Sequence, residues 1–186
     1  MAIEIVVFDM DGVLVDIDSS WRFVHKRFGK ENEESLKQYL DRGIDYAGLL
    51  KRDVNLLGRI RVDTLRGVLA EAPLMRGATR TVDELRRKGY KAAIISAGIS
   101  LLAERLQTIL GIDYAFANKI AVNKNGVIIG AASGAVELLN KVAPLKKLVQ
   151  KEKTTLSSCA VVGDSVFDIP LFEVSGLSIA FNTNDR

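Results

Sequence analysis

The chain has 186 residues, 48% of them apolar, and a mean hydropathy of +0.13, enough for one domain with a substantial core or a domain carrying an insert. Its 26 basic and 23 acidic side chains leave a net charge of +3, and no Lys/Arg block is dense enough to mark a nucleic-acid surface. The single cysteine, Cys159, excludes an intrachain disulfide, and the first apolar run is too short for a secretory leader or a membrane span, so a soluble cytoplasmic protein is expected.

The opening run Ile3-Glu4-Ile5-Val6-Val7-Phe8 reads as a buried strand. It ends in Asp9-Met10-Asp11-Gly12. From about Asp18 to Ala72 helical spacing takes over: Trp21, Val24 and Phe28; Leu36, Tyr39 and Leu40; Tyr46, Leu49, Leu50, Val54 and Leu57; Val62, Leu65, Leu69 and Ala72. Asp18 and Asp45 stand where N-caps belong. This stretch predicts an insert of three or four short helices, with Pro73 marking the return to the main body.

From Pro73 the rhythm is α/β. Ala78, Val82 and Leu85 line a helix closed by Gly89. Tyr90 to Ile95 forms a second strand, ending at Ser96-Ala97-Gly98. Leu102, Leu106 and Ile109 line the next helix, closed by Gly111. Tyr114 to Ala117 makes a third strand, and Asn125-Gly126 turns a hairpin between Ile120-Ala121-Val122 and Val127-Ile128-Ile129. A helix opens at Pro144, Cys159 to Val162 makes a fourth strand ending at Gly163-Asp164, Val166 to Val174 a short helix, and Leu177 to Ala180 a fifth strand. Strands alternating with helices imply an α/β fold, a mostly parallel sheet covered on both faces.

Three strand ends carry polar groups suited to one site: Asp9 and Asp11, Ser96, and Asp164 with Asp168. In a parallel sheet these ends share an edge, where open α/β sheets bind ligands. A carboxylate attacking a phosphate ester meets an anion, and unit charges about 4 Å apart repel by roughly 4 kcal/mol at an effective dielectric near 20. Such a site requires positive charge. Mg²⁺ suits carboxylate and phosphate oxygens, and a lysine would supply the rest. Ser96 and nearby backbone N–H groups, at the N-terminus of the next helix, would hold a phosphate oxygen.

The segments Asp9-Met10-Asp11-Gly12-Val13-Leu14-Val15, Ile94-Ile95-Ser96-Ala97-Gly98, Tyr114-Ala115-Phe116-Ala117-Asn118 and Val162-Gly163-Asp164-Ser165-Val166-Phe167-Asp168-Ile169 appear in the order found in haloacid dehalogenase (HAD) superfamily phosphohydrolases. Over almost its full length the chain resembles that family, and most of all its phosphoserine phosphatase branch. The resemblance implies a Rossmann-like three-layer core of residues 1–16 and 73–186, with a small all-helical, C1-type cap of residues 17–72 closing over the substrate. It implies Mg²⁺-dependent hydrolysis of a small phosphorylated metabolite. Asp9 would be the nucleophile that forms an aspartyl-phosphate, and Asp11 the general acid and then base, with its carbonyl on the metal. Ser96 and Ala97 would bind phosphate, Asp164 would complete the metal site with Asp9, and Asp168 would be a further carboxylate beside the metal.

Lys141, Lys146 and Lys147 compete for the lysine's place. Pro144 belongs in the first turn of its helix, which puts Lys141 at the helix entrance, facing the strand ends. The family's spacing back from Gly163-Asp164 also selects Lys141.

The chain departs from the phosphoserine-specific pattern in the cap. Asp18 stands where that branch has glutamate, and Asp53, with Arg52 beside it, where it has arginine. Asp18, Tyr46, Arg52 and Asp53 are therefore the candidates for substrate selection, and phosphoserine itself is doubtful. Phe167 replaces a frequent asparagine, and the sequence stops at Arg186, soon after the fifth strand, where relatives usually continue. His25 is expected to be a partly exposed helix residue, Trp21 cap core, Cys159 a small core residue, and Arg86-Arg87-Lys88 a solvated helix end. Alternatives are a phosphomutase with the same intermediate, a phospho-accepting module, or a degenerate binding protein. The oligomeric state is open, monomer or homodimer.

Overall fold

A computed structural model describes residues 2–133 and 136–183, so the predicted end at Arg186 lies outside the described residues. The elements are β1 (Ile5–Phe8), α1 (Ser20–Arg27), α2 (Glu33–Leu40), α3 (Tyr46–Leu57), α4 (Val62–Ala70), α5 (Ala78–Arg87), β2 (Lys91–Ile99), α6 (Ser100–Leu110), β3 (Tyr114–Val122), β4 (Ile128–Ser133), α7 (Val142–Glu152), β5 (Cys159–Gly163), α8 (Ile169–Val174) and β6 (Leu177–Ala180). Six strands form one sheet in the order β4-β3-β2-β1-β5-β6, parallel throughout except for the β3–β4 hairpin.

Strand alternation sorts the core into two layers. Val6 and Phe8 of β1, Ala92 and Ile94 of β2, and Ala160 and Val162 of β5 join one cluster with Val82 of α5 and Leu102 and Leu106 of α6. Ile5, Val7, Ala93, Ile95, Cys159 and Val161 point the other way, onto Leu145 and Leu148 of α7 and Leu171 of α8. The sheet is thus sandwiched between helices, and the long apolar runs of β1 and β5 are explained by burial on both sides. Helices α1 to α4 form the all-helical cap inserted after β1, and Trp21, Val24, Leu50, Val54, Leu65 and Leu69 are continuous with the first cluster. The insert closes on itself where the Asp16 N–H donates to the Pro73 carbonyl at 2.9 Å.

Several boundaries differ from expectation. Asp18 does not cap α1; the N-cap is Ser19, whose hydroxyl accepts from the Arg22 N–H at 3.3 Å. Asp45 does cap α3, accepting from the Gly48 N–H at 2.7 Å. β2 runs on to Ile99, so Ser96 belongs to the strand and α6 begins only at Ser100. β3 absorbs both the expected third strand and the first hairpin arm. The expected helix from Val166 divides into a single 3-10 turn, Val166–Asp168, and α8.

The hairpin reaches the cap: the Val62 N–H donates to the Gly126 carbonyl at 2.8 Å, and the Ile128 N–H to Ile60 at 2.9 Å. Leu40 and Ile109, expected on buried stripes, are 43% and 48% exposed. His25 is buried outright rather than partly exposed, since its Nε2–H donates to the Asp53 carbonyl at 2.8 Å and its ring stacks on Trp21. Among the described residues no helix is long and apolar enough to cross a membrane.

Candidate active site

The parallel register puts the ends of β1, β2 and β5 side by side: Phe8 pairs with Ile94 and with Val162. The residues that follow, Asp9, Ser96 and Asp164, therefore come together and line one cavity of about 210 Å³. Asp11, Lys141 and Ala97 line it too, as do the cap residues Asp18, Trp21, Arg22, Asn32, Tyr46 and Asp53. Arg52 does not; it is exposed and bonds to Gln38 on α2. Its expected place beside the substrate is thereby corrected: on α3 the inward position falls one residue later, on Asp53.

Asp9 is 7% exposed. Its Oδ1 accepts from the Met10 N–H at 2.6 Å, and its Oδ2 from Lys141 Nζ at 2.6 Å. Lys141 stands at the N-cap of α7 and also donates to Asp168 Oδ1 at 2.7 Å. Lys146 and Lys147, one turn further on, are exposed. Burial alone would lower the Lys141 ammonium, but the Asp9 and Asp168 carboxylates outweigh it and hold its pKa above the usual lysine value. Burial raises the Asp9 carboxyl against the pull of Lys141.

Asp11 is held differently. Its Oδ2 accepts from the Ser20 N–H and from the Ser20 hydroxyl, both at 2.8 Å, while Oδ1 is buried without a partner among the described residues. Burial pushes its pKa up to about 7, with the Ser20 hydrogen bonds opposing and Asp9 adding to the rise. A carboxyl poised there can give and take a proton near neutrality. Ser20 had no functional signal in the sequence beyond its place at the start of a helix. Its hydroxyl also accepts from the Ile99 N–H at 3.2 Å, so the acid, the cap and β2 meet at one oxygen. Gly98 permits this: a Cβ there would lie 2.5 Å from Ser20 Oγ and 3.0 Å from Asp11 Oδ2.

Gly12 is required by the neighbouring strand end. Its φ is +74°, and a Cβ would meet Asp164 Oδ2 at 2.1 Å. Asp164 is raised to about 7 by burial first, then by the Asp9 and Asp168 charges. Carboxylate oxygens of Asp9, Asp164 and Asp168 lie within 4.8 Å of one another, a donor set suited to a hard divalent cation. Asp168 is the most committed of the three. Its Oδ1 takes Lys141, and its Oδ2 accepts from the Asp164 N–H, the Ser165 N–H and the Ser165 hydroxyl at 3.2, 3.3 and 3.3 Å. Asp9, whose two oxygens each accept one hydrogen bond, and Asp164 are the less committed members of a cluster that could hold such a cation.

Ser96 is buried, its hydroxyl accepting from the Gly98 N–H at 3.1 Å. The Ala97 carbonyl is an acceptor shared by cap and core: Asn118 Nδ2 donates at 2.8 Å, Trp21 Nε1 at 3.3 Å and the Tyr46 hydroxyl at 3.4 Å. Trp21 is thus both cap core and cavity wall. Asn118 also bonds the Val136 carbonyl and N–H at 2.9 and 3.1 Å, fixing the segment that leads to Lys141. A buried amide closing an apolar strand was the available sequence signal for it. Phe167 lines the cavity mouth; Asp18 lines it with its side chain 84% exposed and 3.9 Å from Arg22.

Comparison with known proteins shows which family the chain is part of. Residues 6–173 match the model of haloacid dehalogenase-like hydrolases. The chain is 31% identical over 183 residues to a phosphoserine phosphatase of Archaeoglobus fulgidus, covering 97% of this chain but only 53% of that protein. It is 29% identical over 180 residues to the phosphoserine phosphatase of Methanocaldococcus jannaschii, covering 96% and 85%. A solved structure described as a phospho-aspartyl intermediate analogue of phosphoserine phosphatase superposes with a TM-score of 0.82 at 26% identity, over 98% of this chain and 88% of that one.

Proposed function

Since the chain belongs to the haloacid dehalogenase-like hydrolase family, we propose that it is a Mg²⁺-dependent phosphatase that hydrolyses a small phosphate monoester through an aspartyl-phosphate on Asp9. The observation that carries this reading is the division of labour between two carboxyls two residues apart. Asp9 is paired with the Lys141 ammonium at 2.6 Å, whereas Asp11 is raised to about 7 and turned by Ser20 so that one oxygen is unpartnered. The first is suited to attack, the second to proton transfer.

In the first step an Asp9 carboxylate oxygen forms a bond to phosphorus, and the bond from phosphorus to the leaving oxygen breaks. The Asp11 proton passes to that oxygen, releasing the alcohol. In the second step water attacks the aspartyl-phosphate, Asp11 takes the water's proton, and inorganic phosphate leaves with Asp9 restored. Lys141 offsets the negative charge gathered around Asp9, and Ser96 with the backbone beside Ala97 holds the phosphoryl oxygens. Asp9, Asp164 and the Asp11 carbonyl would hold Mg²⁺, which when bound neutralises phosphate charge as a Lewis acid. Asp168 fixes Lys141 and the Asp164 loop. We divide the chain at the same points as the element order suggests, a core of residues 1–16 and 73–186 and a cap of residues 17–72 that shields the acyl-phosphate from bulk water.

Phosphate release from a panel of phosphorylated metabolites and an aryl phosphate, with Mg²⁺ and with chelator, tests the reading. Asp9→Asn is expected to abolish turnover. Absence of release from every substrate, or full activity in Asp9→Asn, would overturn it. Net isomerisation without release would place the protein among mutases instead.

A further inference from the structure

One wall of the cavity is a helix face. Tyr46, Leu49, Leu50 and Asp53 of α3 all line it, at spacings that put them on a single stripe. Asp53 thus occupies a slot that the pattern assigns to an apolar side chain. It is only 2% exposed, and its Oδ1 accepts one amide hydrogen bond, from Asn32 Nδ2 at 3.2 Å. Its other oxygen takes no hydrogen bond among the described residues. Among the described residues no cation pairs with it, and burial, opposed only by that amide, pushes its carboxyl up to about 7. His25, the adjacent buried base, bonds the Asp53 backbone carbonyl and not its side chain.

An under-satisfied buried carboxyl is costly to a fold unless something else uses it. The charge around it points to what that is. Five aspartates line the cavity (9, 11, 18, 53 and 164) against two cations, Lys141 and Arg22. Lys141 is spent on Asp9 and Asp168, and Arg22 lies at the mouth, 3.9 Å from Asp18. A divalent cation and a phosphate dianion cancel each other, so the excess of negative charge persists once both are bound. A carboxylate on the leaving group would add to it. An ammonium would offset it.

We propose that Asp53 is a specificity-determining residue that pairs with an ammonium group on the leaving alcohol, and that the preferred substrate class is the phosphate monoester of a small amino alcohol without a carboxylate. The cavity of about 210 Å³ suits a leaving group of a few heavy atoms. This rests on the phosphatase reading above and narrows it: Asn32 and Asp53 from the cap form the cationic subsite, and Asp9 with Ser96 and Lys141 the phosphate subsite.

The test compares kcat/KM of the full chain with Mg²⁺ on phosphoethanolamine, glycerol phosphate, O-phosphoserine and p-nitrophenyl phosphate. Phosphoethanolamine is expected to exceed both glycerol phosphate and O-phosphoserine by about tenfold or more, the range of one charge-assisted hydrogen bond. In Asp53→Asn, which keeps the size and an amide for Asn32, the ratio of phosphoethanolamine to glycerol phosphate should collapse toward one. A wild-type enzyme that shows no preference or favours O-phosphoserine overturns the inference while leaving the phosphatase reading intact. So does an Asp53→Asn variant that keeps the preference. If Asp53→Asn does not fold, the wild-type ranking decides. If nothing is hydrolysed, p-nitrophenyl phosphate included, the phosphatase reading falls and this inference with it.

Discussion

Lys141 Nζ lies 2.6 Å from Asp9 Oδ2 and 2.7 Å from Asp168 Oδ1, with all three side chains buried. Among the described residues, the lysine makes the only ion pairs that join the tip of β1 to the loop after β5. Lys141→Ala should therefore lower kcat/KM by about 10²–10³-fold through loss of electrostatic stabilisation. It should also destabilise the fold by about 3–5 kcal/mol, because two carboxylates are left uncompensated. Lys146→Ala, on the exposed face of α7, should change neither. An equal loss in both variants, read by steady-state kinetics and thermal melts, would discard the lysine assignment.

Asp11→Asn separates the two steps. An aryl phosphate has a good leaving group and needs little protonation, so the variant should still release a burst of aryl alcohol. Turnover should then stall by about 10²–10⁴-fold, since no base activates water. With an alkyl phosphate no burst is expected. Rapid-quench detection of phosphorylated protein is the measurement, and unimpaired turnover of an alkyl phosphate would remove Asp11 from the mechanism.

The metal prediction has a sign in pH. Asp164 is raised from 3.8 to about 7 by burial and by Asp9 and Asp168. An acid whose folded pKa is raised carries no penalty below its unfolded pKa and loses stability as pH rises through the folded one. A divalent cation binds the ionised carboxylates and removes that penalty. Mg²⁺ should raise the melting temperature more at pH 8 than at pH 6, with EDTA reversing the gain. A melting temperature indifferent to Mg²⁺ at both pH values contradicts the metal site.

Asp53 gives the same sign without a metal. Its carboxyl is raised from 3.8 to about 7 by desolvation. The wild type should accordingly lose stability between about pH 4 and pH 7 relative to Asp53→Asn, by an amount of order a few kcal/mol by linkage. The two should converge only at about pH 4 and below. Chemical denaturation at several pH values in the absence of substrate decides; parallel curves would show that Asp53 does not titrate in this range.

Gly98→Ala probes the contact between acid and cap. The added methyl would sit 2.5 Å from both Met10 Cε and Ser20 Oγ, and overpacking of this kind costs about 1–3 kcal/mol. Activity should fall more than stability, because the displaced atom is the one that holds Asp11. A fully active variant would show that the Ser20 contact does not position the acid.

The residues at strand ends were legible because the sheet is parallel: once the strands were recognised, Asp9, Ser96 and Asp164 had to share an edge. Lys141 was legible because Pro144 restricts where a helix can begin. What escaped was set by contacts distant in sequence. His25 looked exposed because nothing local announces that the Asp53 carbonyl, 28 residues on, accepts its Nε2–H at 2.8 Å. The family's spacing set Asp53 at the cap position and Arg52 beside it, but the sequence kept both as candidates; a helix rotates about 100° per residue, and that one position decides between solvent and cavity. Ser20 read as an ordinary helix start. Its bond to Asp11 depends on how the chain turns back after Gly12, which tertiary packing dictates.

The Ala97 carbonyl has two lone pairs and three donors, of which the core amide of Asn118 is nearest at 2.8 Å and the two cap donors are longest at 3.3 and 3.4 Å. Trp21 and Tyr46 therefore compete for a single remaining acceptor position. If α1 and α3 swing away from the sheet, they forfeit that shared bond and also the one the Tyr46 hydroxyl accepts from Asn118 Nδ2 at 2.6 Å, each roughly 0.5–1.5 kcal/mol, while Asn118 still serves the oxygen they abandon. At this point the latch is two ordinary hydrogen bonds deep, and opening it leaves the Ala97 carbonyl paired with Asn118.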